Sequence, residues 1–94
     1  MNPFEIDVLG RVTDDVEAVH TIRDDLERDL DRPVSDREVG AALVRLAAAG
    51  YLATLAYDET QQHLRPVDPG HFASEDLWFE ITPEGRIEYA RCVP

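Results

Sequence analysis

Apolar residues recur at helical spacing three times in the first half of the chain, and the second half changes to a period of two. Asn2-Pro3 with Glu5 spells a helix start, with a capping side chain, a proline at the first helical position and an acid able to reach back to the cap. Phe4, Val8, Leu9 and Val12 then supply an apolar face, and Gly10 either closes this helix early or is tolerated inside it. Asp14 with Glu17 repeats the capping pattern and predicts a second helix to about Leu30, buried along Val16, Val19, Ile22, Leu26 and Leu30. Its other face carries Asp15, Asp24, Asp25, Arg28 and Asp29, which reads as a solvated charged surface. Pro33 ends it, since the residue before a proline is pushed out of helical geometry.

Ser35 and Glu38 form a full capping box on paper and open a third helix through Val39, Ala42, Leu43, Leu46 and Ala49, with Gly50 at its C-terminal stop. The period of two then predicts strands over Tyr51–Tyr57 and Leu77–Thr82, paired as an antiparallel hairpin. In the second strand Leu77, Phe79 and Ile81 share one face, while Trp78 and Glu80 take the other. Residues 58–76, with Pro66, Pro69 and Gly70, read as a long projecting loop. Thr82-Pro83 begins a short last helix with Ile87 and Ala90 turned inward. The expected fold class is α+β, one domain over residues 1–94, with a three-helix core, a two-stranded wing and a short closing helix.

Composition narrows the chemistry. The chain has 94 residues, 44% of them hydrophobic, and carries a formal net charge of −11. All nine basic residues are arginine, and the acids concentrate at both ends: residues 1–32 hold ten acids and four arginines, 33–57 two of each, and 58–94 eight and three. Such a field opposes nonspecific contact with nucleic acid or anionic lipid. No apolar run approaches bilayer length, and the start Met1-Asn2-Pro3-Phe4-Glu5 lacks the pattern of a secretory signal, so a cytoplasmic protein without membrane contact is expected. The lone Cys92 has no partner for an internal disulfide.

Catalysis finds little footing. His20 sits beside the apolar face of the second helix, His63 and His71 fall in the long loop, and Ser35 reads as a cap without a nucleophile's glycine-flanked elbow. His63, Asp68, His71 and Cys92 have no metal-ligand spacing, and no glycine loop could cradle a phosphate. A binding module without cofactor or metal is expected, not an enzyme.

The segment from Pro33 to Leu52, a capped helix with a Leu43-x-x-Leu46 step running into Gly50 and a strand, resembles the recognition-helix region of PadR-type bacterial transcriptional regulators. Trp78-Phe79-Glu80-Ile81-Thr82-Pro83-Glu84-Gly85 is similar to the exit of their wing. The resemblance covers nearly the whole chain and implies a winged helix-turn-helix that binds DNA as a homodimer, with the third helix in the major groove. It would place Ser35, Arg37, Ala41, Val44, Arg45 and Ala48 on the outward stripe of that helix and Arg65 in the wing.

Three arginines make about three phosphate contacts per subunit and about six per dimer, the low end for a salt-sensitive DNA binder. Asp36 and Glu38, in the first turn of the same helix, would repel phosphate. The alternative is an acidic protein-interaction module: Gly40, Ala41, Val44 and Ala48 offer a small apolar stripe for a partner helix, with Trp78 either an interface anchor or packed beneath the long loop or first helix.

Overall fold

The computed structural model describes residues 1–68 and 76–93. Among these, four helices and four strands follow in the order α1 (Pro3–Gly10), β1 (Glu17–Ala18), α2 (Val19–Leu30), α3 (Asp36–Ala48), β2 (Leu52–Asp58), β3 (His63–Pro66), β4 (Leu77–Ile81) and α4 (Pro83–Cys92). The class is α+β, with one antiparallel sheet in the order β1-β4-β2-β3.

Local chemistry explains most of the helix boundaries. Asn2 Oδ1 accepts from the Glu5 amide at 2.8 Å and Glu5 Oε1 accepts from the Asn2 amide at 2.9 Å, a complete capping box. Ser35 Oγ accepts from the Glu38 amide at 3.0 Å, but Glu38 does not return the bond. Its carboxylate turns to Arg32 at 3.2 Å, so only half of the expected box forms. Val34 and Val39, on either side of this cap, are both buried, and the Val34 amide donates to Glu27 Oε1 at 2.9 Å, which ties the α2–α3 turn to α2. At the other end of α3, the Tyr51 amide reaches the Leu46 carbonyl and the Gly50 amide the Ala47 carbonyl, with Gly50 at φ +87°. This is a left-handed stop that a residue with a Cβ takes only with strain.

Two expectations are corrected by long-range pairing. The second helix begins at Val19, not after Asp14, and Ala18 stands at its N-cap without a side-chain bond. Glu17 and Ala18 are instead a short strand opposite Phe79 and Trp78 of β4. The exposed edge of β4 offers unmet backbone groups, and satisfying them outweighs a solvent-side cap. Part of the expected loop is also strand: β3 folds back along β2 with Tyr57 opposite Leu64 and Ala56 opposite Arg65, after a turn whose Gln62 has φ +57°. The expected pairing of β2 with β4 is present, with Thr54 opposite Phe79 and Leu52 opposite Ile81.

The core lies between the helices and one face of this sheet. Val8 and Leu9 of α1, Ile22 and Leu26 of α2, Val39, Leu43 and Leu46 of α3, and Leu52, Phe79 and Ile81 of the sheet are all buried in it. α4 is seated by the residue that caps it. Thr82 Oγ1 accepts from the Gly85 amide at 3.0 Å and donates to the Gly50 carbonyl at 2.7 Å, while the Thr82 amide donates to the Tyr51 carbonyl. Of α4's apolar residues, Tyr89 packs on the core, but Ile87 is 63% exposed and Ala90 is exposed, contrary to the inward facing expected of both. The helix is held by its first turn and by Tyr89.

Candidate functional site

The outward side of α3 follows from its period. Val39, Ala42, Leu43 and Leu46 go to the core, which leaves Arg37, Ala41, Val44 and Ala48 on the opposite side with Arg45 at the margin. Arg37, Arg45 and Ala48 are exposed, and Ala41 and Val44 half-buried, Val44 packing on the core. Gly40, expected on this stripe, is buried instead, one step too far round the helix. Ser35 is exposed with its hydroxyl engaged as the cap.

Ion pairing decides the electrostatics of this surface. Arg45 Nε donates to Glu5 Oε2 of α1 at 2.7 Å, and the Glu5 carboxyl is held below its ordinary range by that bond first and by the Asn2 amide second. Arg23 of α2 spans Asp24 at 2.8 Å and Asp36 at 3.2 Å, and Arg32 meets Glu38. The Asp24 carboxyl is lowered by Arg23, whose own pKa is raised in return. Arg32 also lies over the Phe4 ring, 5.7 Å from its centroid. Around α3, then, Arg23, Arg32, Arg37 and Arg45 stand with Glu5, Asp24, Asp36 and Glu38. Four cations meet four carboxylates, and the patch has no net charge. Arg65, on β3, faces Asp58 across the hairpin at 3.6 Å. Of the three arginines expected to meet phosphate, Arg37 alone has no carboxylate partner among the described residues.

Trp78 lies apart from α3. Successive side chains alternate across a strand and directly opposed residues share a face, so Trp78, Leu55 and Ala18 lie together on the side of the sheet away from the helices, with Tyr57 and Leu64 beside them. Trp78 is 37% exposed and Tyr57 55%. With Val16 and Leu64 they line a hollow of about 310 Å³. Trp78 is thus not packed against α1. The grouping escaped sequence reasoning because the expected loop hid β3, although His63-Leu64-Arg65-Pro66 does alternate in the manner of an edge strand.

Other polar groups stay dispersed. No three His, Cys, Asp or Glu among the described residues are placed to hold a metal ion, and His71 lies outside those residues. Asp14, Asp15, Glu80 and Arg86 line a second hollow that adjoins the first at Val16. Glu17, between them and α2, has its carboxyl pushed up by burial first and then by Asp15 and Asp25. Among the described residues no helix is long and apolar enough to cross a membrane. The sequence matches no protein-family model and no curated protein.

Proposed function

We propose that this chain is a winged-helix module that binds another protein through the outward face of α3 and carries out no chemistry itself. The order of elements supports the shape: a helix, a short strand, two helices joined by a tight turn, then a strand returning along β2 to pair with β1. The charge balance around α3 carries the choice of partner. Ala41, Val44 and Ala48 form a small apolar strip edged by arginines that are already paired, the composition of a protein interface with an apolar centre and polar rim. A phosphate backbone would have to displace Glu5 from Arg45 and Asp58 from Arg65, within a chain of net charge −11.

A second reading, DNA binding by a homodimer in the manner of the regulators the sequence resembles, draws support from exposed Arg37 on the stripe of the second helix of a helix-turn-helix. The two readings separate on one pair of variants. Under the protein reading, Ala48→Glu abolishes capture of a partner from native lysate and Arg37→Ala weakens it. Saturable binding to duplex DNA that Arg37→Ala removes would establish the second reading in its place.

A further inference from the structure

We infer that the sheet face opposite the helices is a second docking surface, for a basic amphipathic segment of a partner protein that seats apolar side chains among Val16, Tyr57, Leu64 and Trp78. The inference goes beyond the α3 reading and does not depend on it, because the two surfaces share no residue. Three observations carry it. First, β1, β4, β2 and β3 present a continuous apolar surface, in which Ala18, Trp78 and Leu55 are neighbours across three strands and Tyr57 faces Leu64 on the fourth. Solvent-facing sheet surfaces normally alternate to polar residues at such positions. Second, the surface is concave: its hollow of about 310 Å³ is at the small end of ligand-site volumes, with room for one or two large side chains. An exposed tryptophan and tyrosine at its edge are residue types enriched at the centres of protein interfaces.

Third, the rim selects the partner's charge. Asp14, Asp15 and Glu80 border the adjoining hollow with a single cation, Arg86, and Glu17 follows directly on Val16. The carboxyl of Glu17 is raised by its neighbours Asp15 and Asp25, so the negative charge here is not offset within the chain. Lysines or arginines flanking an apolar anchor would relieve it, whereas a second copy of this chain would bring another net charge of −11 to the same place.

Trp78 is the protein's only tryptophan, so its emission reports on this face directly. The probe is a short amphipathic peptide of leucine and lysine, compared with a scrambled peptide of the same composition that has no apolar face and with an amphipathic leucine and glutamate peptide. The expected result is a saturable blue shift of Trp78 with the amphipathic lysine peptide alone. Tyr57→Ser with Leu64→Ser should weaken that binding about tenfold or more, and Ala48→Glu on α3 should leave it unchanged. Both serine substitutions fall on residues outside the core, and far-ultraviolet circular dichroism of the variant checks that the fold persists. Equal binding of the scrambled peptide, equal affinity of the double variant, or concentration-dependent self-association of the wild-type chain that the double variant abolishes would each overturn the inference. Loss of partner binding at α3 alone would leave it standing.

Discussion

Glu5 joins the fold to the electrostatics of α3, and its replacement tests both. One carboxylate oxygen accepts from the Asn2 amide and closes the α1 capping box; the other accepts from Arg45 Nε of α3. The side chain is 11% exposed while that of Arg45 is 54% exposed. In Glu5→Ala the Asn2 amide loses its acceptor, at a cost of about 1 kcal/mol for a net hydrogen bond. Breaking the Arg45 bond costs about 0.5–1 kcal/mol, well below a buried charge-assisted bond, because the guanidinium is half in water and rehydrates. The sum, about 1.5–2 kcal/mol, corresponds to a fall in Tm of roughly 6–16 °C for a domain of this size. Glu5→Gln keeps an acceptor oxygen and should lose about half as much. The pH dependence follows from the direction of the shift. The folded Glu5 carboxyl lies below its ordinary value of 4.5, so the stability it contributes is present above that value and is lost as pH falls through the folded pKa. Urea unfolding of wild type and Glu5→Gln, followed by circular dichroism at a series of pH values, should show a gap at pH 7 that closes on acidification. Equal stability at pH 7, or a gap that persists below the folded pKa, would refute this reasoning.

Three further outcomes are expected. Gly85→Ala should destabilise the protein by about 1–3 kcal/mol or more in thermal melts, because a Cβ there would overlap the Tyr51 carbonyl oxygen and lie 2.8 Å from Ile81 Cγ1, forcing α4 off the seat made by Thr82. Gly50→Ala should cost roughly 1–2 kcal/mol by the same measurement through its φ of +87° alone, since no atom lies within 4 Å of the added methyl. Glu17→Gln should raise stability at pH 7. Its carboxyl is raised in the folded state, so ionisation works against folding, and the gain should vanish at pH values where the wild-type residue is protonated in both states. A variant no more stable at pH 7 would show that burial and Asp15 leave the carboxylate unpenalised.

What could be read in advance was what neighbouring residues decide among themselves. The caps at Asn2, Ser35 and Thr82, the stop at Gly50 and the alternation through Phe79 and Ile81 each depend on a few adjacent positions, and each stands as expected. The departures come from partners distant in sequence. Asp14 and Glu17 satisfy the local pattern of a helix start, yet Glu17 lies in a strand because β4, near the end of the chain, presents an open edge. Likewise, His63–Pro66 is short and flanked by turn residues, so nothing nearby marks it as the strand that β2 recruits. The outward positions of α3 were legible from its period, apart from Gly40. Their charge was not: Arg45 counts as a free cation in the sequence and is bound to a carboxylate forty residues earlier in the fold.

That neutralisation is the basis for a protein partner, and duplex DNA tests it most directly. Fluorescence polarisation of labelled genomic fragments, titrated with the protein at low ionic strength where phosphate contacts are strongest, should show no saturable binding. Saturable binding whose logarithm falls linearly with the logarithm of salt concentration, with a slope reduced by about one for each arginine removed at Arg37, Arg45 or Arg65, would contradict it.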